Sequence, residues 1–182
     1  MSSTFFECKK CGACCRNLFD DSCGITVGMF LTPEETALFD RSLVSPFYAF
    51  GVNNPKKIIS YQLNVDECPH INGNNECKIY DRRPLTCRAF PVEILDATRN
   101  TISRRCPTIS SMIKEGEVSE DIKNLDNEID VASKMYRWRL NRIPKYLRKG
   151  LTLFWFDLKT KKWVVPKINH FEQGILKGSC AI

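Results

Sequence analysis

The sequence C-K-K-C-G-A-C-C at residues 8–15 places four cysteines, Cys8, Cys11, Cys14 and Cys15, within eight residues. In a C-x-x-C pattern the intervening residues turn the backbone back on itself, so the two sulfurs can converge on one metal centre. A third cysteine after two further residues extends the same curl. Because a cysteine thiolate is a soft ligand that suits zinc and iron–sulfur clusters, the stretch predicts a metal-binding loop.

Four further cysteines follow this loop, and a proline follows the last of them. Three closely spaced cysteines together with a distant Cys-Pro are typical of bacterial ferredoxin-type four-iron sites. Cys106 and Pro107 supply the distant pair, although three other cysteines intervene. We therefore predict a cysteine-ligated centre, favour a [4Fe-4S] cluster, and expect the metal ligands among eight cysteines: Cys8, Cys11, Cys14, Cys15, Cys68, Cys77, Cys87 and Cys106.

Zinc is the direct alternative, because structural zinc sites use the same shell of four thiolates. Such sites usually combine two C-x-x-C knuckles, and only residues 8–15 have that spacing. Cys14 and Cys15 are adjacent, so their side chains diverge in most conformations and are not expected to share one ion. Cys15 therefore either serves a second centre or is structural. Of the two remaining cysteines, Cys23 follows the loop closely and is a candidate for a further thiol of the site, whereas Cys180 is expected to be unligated.

The composition fits a globular protein rather than a small disulfide-rich scaffold. The chain has 182 residues, of which 43% are hydrophobic, enough for one domain or one domain with an appendage. We see no signal peptide, and the longest apolar run, at 151–156, is too short to span a bilayer. We therefore expect a cytoplasmic protein, in which clustered cysteines indicate metal or redox chemistry.

Positive charge is concentrated in the last third of the chain. The net charge is +6, yet residues 132–182 contain twelve Lys and Arg and only two acidic residues. This asymmetry predicts an acidic partner for that segment. Aromatic residues lie among the basic ones from Lys134 to Lys149, so nucleic acid is a candidate partner. A helix with a solvated basic face and a buried aromatic stripe is the alternative.

Two helices are predicted from the sequence pattern. Apolar residues recur at every third or fourth position over 119–143, which predicts a long amphipathic helix that Pro144 ends or kinks. A shorter helix is predicted from Thr32 to about Leu43, because Thr32 and Glu35 fit a capping box. Residues 78–83 are expected to form a single helical turn.

The remaining pattern predicts short strands and hairpins, so the expected fold class is α+β. Residues 44–57 are predicted to be a loop, because they contain two prolines, a glycine and two asparagines. Residues 1–107 are expected to form the cysteine-cluster region, and residues 108–182 a helical and hairpin tail packed on it. The predicted strands are 25–31 and 58–65, the predicted hairpins are 92–104 and 151–165, and a tight turn is predicted at 72–75.

In combination these motifs resemble the CxxCxxCC family of cysteine-cluster proteins, also called YkgJ-type. The resemblance covers about residues 8–108. Its motifs identify the family only in combination, since neither half alone would be specific. Its motifs are C-K-K-C-G-A-C-C-R at 8–16, L-T-P-E-E at 31–35, C-P at 68–69, C-K-I-Y-D-R-R-P-L-T-C-R-A-F-P at 77–91 and C-P at 106–107.

The resemblance implies a zinc- or iron-chelating domain more directly than it implies an activity. Some members are described as iron–sulfur oxidoreductases, and flagellin lysine N-methylases carry a similar cysteine cluster. The hypotheses are a metal-binding or electron-transfer module with a protein redox partner, an enzyme such as an S-adenosylmethionine-dependent N-methyltransferase, and a nucleic-acid-associated protein that uses the basic segment.

Three residues near Cys87 are predicted to support the centre without binding the metal. Arg83 and Arg88 would offset the negative charge of a thiolate-bound centre and raise its reduction potential. The alternative for both arginines is a solvated charge or an ion pair with Asp81. Tyr80 is expected to be a packed aromatic with its hydroxyl hydrogen-bonded. The sequence indicates no catalytic residue, since it contains none of the common nucleotide-binding, phosphate-binding or hydrolase motifs.

Overall fold

The computed structural model describes residues 5–22, 24–94, 100–114 and 124–165. The fold is α+β, as predicted. The chain forms two compact units that alternate along the sequence. Unit 1 comprises Met1–Arg16 and His70–Arg137, and unit 2 comprises Asn17–Pro69 and Trp138–Ile182. The predicted division into 1–107 and 108–182 stays a prediction.

The described strands are short, and most helical segments are single turns. The strands are β1 Asp20–Ser22, β2 Ile25–Val27, β3 Phe30–Leu31, β4 Val44–Pro46, β5 Tyr48–Gly51, β6 Lys57–Ile58, β7 Tyr61–Leu63, β8 Val92–Ile94, β9 Asn100–Ile102, β10 Thr152–Asp157 and β11 Lys162–Val164. The α-helices are α1 Leu85–Ala89, α2 Pro107–Lys114 and α3 Asp126–Leu147, and 3₁₀ turns lie at Ala13–Cys15, Glu34–Leu38, Arg41–Leu43 and Tyr80–Arg82.

The described part of unit 2 contains three small antiparallel sheets. In the largest, with strand order β11-β10-β5-β6, the register of β5 and β10 pairs Gly51 with Thr152 and Tyr48 with Trp155. The second sheet has the order β3-β7-β4, and the third is the β1-β2 hairpin. The pairing of β5 with β10 joins two stretches that are about a hundred residues apart in sequence, so local pattern alone does not determine this sheet.

The core of unit 2 is aromatic. Phe30, Phe47, Tyr48 and Trp155 are each at most 5% exposed, and five pairs of these rings have centroids between 4.1 and 6.3 Å apart. Burying one such side chain stabilises a fold by about 1.5–3 kcal/mol relative to leaving it exposed. Unit 2 therefore has a substantial hydrophobic core of its own.

Gln62 is fully buried inside unit 2 and connects three of its backbone segments. Its side-chain Oε1 accepts a hydrogen bond from the Gly28 amide at 2.7 Å. Its Nε2 donates to the carbonyl oxygens of Pro46 and Phe156, each at 2.8 Å. The strand that carries Gln62, β7, is therefore tied to both β4 and β10, and every polar atom of the buried amide has a partner.

Asp157 organises the turn between β10 and β11. Its carboxylate accepts hydrogen bonds from the amides of Thr26, Lys159 and Thr160 and from the Thr160 hydroxyl. Burial by itself would raise the pKa of this carboxyl, but the hydrogen bonds from Thr160, Thr26 and Lys159 outweigh burial and lower the pKa below its ordinary value.

The core of unit 1 lies among α1, α2, the first half of α3 and the β8–β9 hairpin. Leu85, Phe90, Ile94 and other half-buried apolar residues pack around its edge. Its buried residues are Phe6, Ala89, Val92, Cys106, Ile109, Met112, Leu125, Val131 and Ala132.

Several sequence-based elements are confirmed. The β8–β9 and β10–β11 hairpins form as predicted, although the turn of the former lies outside the described residues. A single 3₁₀ turn forms within 78–83, and the Asn75 amide donates to the Asn72 carbonyl in the predicted turn. The strands predicted at 25–31 and 58–65 are each interrupted, giving β2 and β3 in the first case and β6 and β7 in the second.

Two predictions of local structure are wrong, and a third is narrowed. The predicted loop 44–57 contains β4 and β5, because pairing with β7 and β10 outweighs the signals of Pro46 and Gly51. The helix predicted from Thr32 consists of two short 3₁₀ segments, although the Glu35 carboxylate accepts a hydrogen bond from the Thr32 amide, as in a capping box. The predicted long helix is present as α3, which continues through Pro144 to Leu147, so Pro144 does not end it, and the predicted start at 119 lies outside the described residues.

Across the described segments, no helix has both the length and the apolar character that a membrane span requires.

Candidate metal centre

The first four cysteines lie on a tightly curled segment, residues 8–16, which we call the cysteine loop. Lys10 and Gly12 have left-handed backbone conformations, with φ of 52° and 73°. The Cys15 amide then donates to the Gly12 carbonyl at 3.0 Å within the 3₁₀ turn. Cys8 and Cys11 are exposed, whereas Cys14 and Cys15 are half-buried. The predicted curl of the C-x-x-C-x-x-C pattern therefore forms.

Gly12 allows the cysteine loop to approach the segment that carries Cys77. A Cβ atom at this position would lie 2.7 Å from Cδ1 of Ile71 and 3.0 Å from the carbonyl oxygen of Asn75. Since Ile71 also forms a β-bridge with Cys77, the loop lies directly against this second cysteine segment. A side chain at position 12 would therefore push the Cys77 segment away from the cysteine loop.

Arg16 holds the cysteine loop to two other parts of unit 1. Its guanidinium donates to Oδ1 of Asn75 at 2.7 Å and, in a longer contact of 3.4 Å, to the Gly12 carbonyl. The Arg16 carbonyl accepts a 3.4 Å hydrogen bond from Arg105, the residue before Cys106. These contacts bring the loop beside the segments of Cys77 and Cys106.

The other cysteines of unit 1 occupy ordered positions. Cys77 is half-buried and its carbonyl accepts a hydrogen bond from the Tyr80 amide. Cys87 is half-buried on α1. Cys106 is 7% exposed and precedes α2, where its carbonyl accepts from the Ser110 amide. Backbone hydrogen bonds thus fix two of these three cysteines directly, and a short helix carries the third.

Tyr80 links the cysteine loop to Arg83. The Tyr80 ring has Arg83 Cζ 3.7 Å from its centroid and Lys10 Nζ at 4.6 Å, so two cations contact one aromatic ring. Burial raises the pKa of the Tyr80 hydroxyl, and a hydrogen bond between this hydroxyl and Cys8 raises it further, while the Arg83 charge acts in the opposite direction. The hydroxyl therefore remains protonated at neutral pH and can donate to the Cys8 sulfur.

Arg88 is exposed, and its position differs from that of Arg83. Its positive charge contributes to the lowered pKa of Asp130 on α3, where the largest contribution is a hydrogen bond from Lys134. Arg83 instead donates from Nε to the Tyr80 carbonyl at 2.8 Å. The predicted roles of Arg83, Arg88 and Tyr80 beside a metal stay predictions; Tyr80 interacts with Cys8 and with Arg83, whereas Arg88 follows Cys87 in α1.

The positions of Cys68, of the nearby histidine His70 and of two further cysteines complete the description of the candidate ligands. Cys68 is buried and belongs to unit 2, two residues before the sequence returns to unit 1 at His70. His70 is half-buried, and its carbonyl accepts a hydrogen bond from the Lys78 amide. Cys23 and Cys180 lie outside the described residues.

The structure brings cysteine-bearing segments together without arranging their side chains as a preformed cage. Over residues 5–22, 24–94, 100–114 and 124–165, no three Cys, His, Asp or Glu side chains are positioned to hold one metal ion. The eight described cysteines are thiols and form no disulfides with one another. As a donor set, clustered thiols fit zinc or iron rather than magnesium or calcium, which prefer oxygen ligands.

Sequence reasoning missed the residues that position the cysteine loop. Arg16, Asn75 and Arg105 make contacts that span 59 and 89 residues of sequence, so no local pattern reveals them. The only available signal was their place in the motifs: Gly12 and Arg16 stand inside C-G-A-C-C-R, and Arg105 precedes Cys-Pro.

A curled cysteine loop, reduced thiols on neighbouring segments and a small supporting core together define a cysteine-rich metal-binding domain. Comparison with known families agrees with this class. The chain belongs to the CxxCxxCC family, described as a "putative zinc- or iron-chelating domain", whose model matches residues 7–108. No curated protein and no solved structure matches the chain.

Proposed function

We propose that unit 1 binds a [4Fe-4S] cluster through cysteine thiolates, with an electron-transfer or structural role. The observation that supports this most strongly is the contact of the cysteine loop with the segments of Cys77 and Cys106, through Arg16. Membership of the family indicates zinc or iron binding. The finer choice of an iron–sulfur cluster rests on the C-x-x-C-x-x-C spacing and the distant Cys106-Pro107 pair.

We infer that Cys8, Cys11, Cys14 and Cys106 are the four ligands. The first three share the curled loop. Arg105, the residue before Cys106, donates a hydrogen bond to the Arg16 carbonyl at the end of that loop. Cys15, Cys77 and Cys87 then surround the centre or serve a second one. The structure leaves the predicted ligand role of Cys68 without further support, and that role stays a prediction.

Cations around the cysteine loop suit a negatively charged centre. Four thiolates give a bound zinc ion or an oxidised four-iron cluster a net negative charge. Lys10 and Arg83 lie on the Tyr80 ring beside Cys8, and Arg16 and Arg105 flank the other end of the loop. Nearby positive charge stabilises the more negative, reduced state of a cluster and so raises its reduction potential.

Tyr80 is well placed to tune such a centre. A hydrogen bond from a hydroxyl to a ligand sulfur withdraws electron density and raises the reduction potential. The Tyr80 hydroxyl meets Cys8, and the Arg83 side chain fixes the ring from one face. When bound, the cluster would supply one-electron chemistry, and these residues would set how readily it accepts the electron.

The test is metal and sulfide analysis of anaerobically purified full-length protein. We expect about four iron and four acid-labile sulfide per chain, with the broad visible absorbance of a coloured iron–sulfur protein. Cys11→Ser should remove most of the iron. Cys180→Ser is the matched control, because it makes the same change outside residues 7–108, and it should retain the iron.

Colourless protein that retains stoichiometric zinc after anaerobic purification would contradict the iron–sulfur proposal and favour the zinc alternative. Loss of iron to the same extent in both cysteine variants would contradict the ligand assignment, since it would show that any lost thiol destabilises the protein.

A further inference from the structure

We propose that unit 2 carries a binding surface for single-stranded nucleic acid, formed by the end of α3 and the turn between β5 and β6. The proposal is independent of the metal centre, since all of its residues belong to unit 2. We call these residues the basic surface: Lys56, Lys57, Arg142, Lys145, Arg148 and Lys149.

The two segments that build the basic surface contain no negative charge. Residues 44–65 and 138–156 together hold seven Lys and Arg and no Asp or Glu. Within the part of the chain that the structure describes, none of the six cations of the surface forms an ion pair. An acid-free surface of this kind retains its full positive potential toward a polyanion.

Sheet pairing places the two segments side by side. Gly51, at the start of the β5–β6 turn, pairs with Thr152, which follows the end of α3 by a few residues. The Phe50 ring stacks on Tyr146 of α3 at 4.7 Å, and Nζ of Lys57 lies 5.1 Å from the Tyr146 centroid. The cations of the turn and of the helix therefore form one continuous surface.

The end of the helix and the turn after it present these cations. Arg142 and Lys145 are three residues apart near the end of α3, so they share a face. Arg148 and Lys149 follow in the turn after Leu147. Lys145 and Lys149 are exposed, as are Lys56 and Lys57 across the surface. Such a row of mobile cations suits the phosphates of a nucleic-acid backbone.

Aromatic rings lie among these cations. The Arg142 guanidinium lies 4.2 Å from the centroid of the Trp138 ring, and Lys57 lies over Tyr146. Trp138 and Tyr146 are half-buried rather than enclosed. Phe50 and Lys57 already pack against Tyr146, so the stacking contact falls to the Arg142 guanidinium over Trp138. Unpaired bases stack on guanidinium planes as well as on rings, which favours single strands, whose bases are accessible, over a duplex.

The apolar content of the surface does not suit a membrane. Binding to a lipid interface relies on inserted Trp, Phe or Leu side chains. Among the described residues of the turn, only Val52 is a large exposed apolar residue, and its neighbours Asn53 and Asn54 are polar. Ile58 of β6 is 42% exposed, and neither it nor Val52 is one of the Trp, Phe or Leu side chains that insert into lipid.

The test is fluorescence anisotropy of the full-length protein with a fluorescein-labelled oligouridine of about 20 nucleotides, long enough to exceed the usual site size. We expect affinity to fall steeply as KCl rises. The triple variant K145Q/R148Q/K149Q should bind at least about tenfold more weakly near about 100 mM KCl, and its salt slope should fall by about 2, because each lost phosphate contact removes about 0.7.

K159Q/K161Q/K162Q is the matched control. It removes the same charge from exposed lysines of unit 2 at the β10–β11 turn, at the opposite end of β10 from Thr152, and it should bind within about twofold of the wild type if the specific surface matters. The double variant K56Q/K57Q tests the other half of the surface. It should weaken binding in the same direction, with a smaller change in slope.

Equal weakening by the control variant would overturn the proposal, because it would show that net charge alone attracts the oligonucleotide. Affinity that does not depend on salt would overturn it as well. Co-sedimentation with vesicles of phosphatidylserine and phosphatidylcholine, combined with no binding of the oligonucleotide, would replace nucleic acid by a membrane partner. None of these outcomes depends on metal content, so they leave the proposed function untouched.

Discussion

Unit 1 and unit 2 differ in what holds them together. Unit 2 has aromatic rings that are almost completely buried between paired strands. In unit 1 the 3₁₀ turn of the cysteine loop contains no buried residue, and Arg16 secures the loop through polar contacts. Apolar burial is the main stabilising contribution in most folds. The loop lacks it, so we expect a bound metal to supply part of its stabilisation.

The strongest test of this comparison is removal of the metal. Binding of structural zinc stabilises small domains by about 10 kcal/mol or more. Removal of the metal by a chelator should therefore increase amide hydrogen exchange in unit 1 far more than in unit 2. We expect amide hydrogen exchange in α1 and α2 to become at least about a hundredfold faster. Exchange in β5 and β10 should stay within about threefold of its value in the metal-bound protein, because these strands surround a core of their own.

Hydrogen exchange followed by mass spectrometry gives the readout for each element separately. Uniform acceleration across both units would break the comparison, since it would mean that unit 2 also depends on the metal. Unchanged exchange in α1 and α2 would show that the small apolar core of unit 1 is sufficient.

Two glycine substitutions, one in each unit, test the comparison with a smaller expected effect than metal removal. Gly12→Ala and Gly24→Ala each place a side chain at a left-handed position, φ of +73° and +78°, which costs about 1–2 kcal/mol. Only Gly12 has neighbours that a Cβ would meet, whereas Gly24 has nothing within 4 Å. Gly12→Ala should therefore release its metal to excess chelator at least about tenfold faster than the wild type, as an additional 1.4 kcal/mol implies.

Gly24→Ala is the matched control and should keep the wild-type rate of metal release, with only the small loss of stability in denaturant unfolding. Equal release rates for the two variants would show that the approach of the cysteine loop to Ile71 is not needed for binding.

The smallest expected effect concerns the Asp157 carboxylate of unit 2. Its lowered pKa means that it stabilises the folded state above the unfolded pKa of about 3.9, and that this stabilisation disappears as the pH falls through the folded pKa. Asp157→Asn should cost about 1.5 kcal/mol at neutral pH, the typical contribution of a hydrogen bond to a charged group. The difference between variant and wild type should shrink as the pH falls from about 6 to about 3.

Denaturant unfolding at several pH values measures this effect, with the exposed carboxylate variant Asp81→Asn in unit 1 as the control. A difference that stays constant with pH would contradict the assigned role of the carboxylate. Metal content should remain unchanged in Asp157→Asn, because the β10–β11 turn belongs to unit 2.

Elements that depend on neighbouring residues could be predicted from the sequence. The turn at 72–75 follows from its Asn-Gly-Asn-Asn composition, and the β10–β11 hairpin follows from two apolar stretches around a lysine-rich turn. The central part of α3 follows from a regular spacing of apolar residues. In each case the contacts that decide the structure lie within about twenty residues.

Elements that depend on distant pairing could not be predicted. Pro46 and Gly51 usually interrupt strands, yet β4 and β5 form because β7 and β10 supply their hydrogen bonds. Pro144 lacks an amide hydrogen, yet α3 continues beyond it to Leu147, and Tyr146 stacks there on Phe50, which is distant in sequence. The cysteines of the candidate centre were visible as residue types, but their neighbours Arg16 and Asn75 were not.

The buried amide of Gln62 has a consequence for which substitutions unit 2 tolerates. An amide offers an acceptor at one end and two hydrogens at the other, and here the acceptor faces the Gly28 amide while the hydrogens face two carbonyl oxygens. Glutamate is nearly identical in shape but would turn lone pairs toward the carbonyls of Pro46 and Phe156. Leucine would leave three main-chain groups unsatisfied at once. Position 62 therefore requires a side chain with an acceptor at one point and two donor hydrogens at another. Hydropathy scales do not contain this requirement.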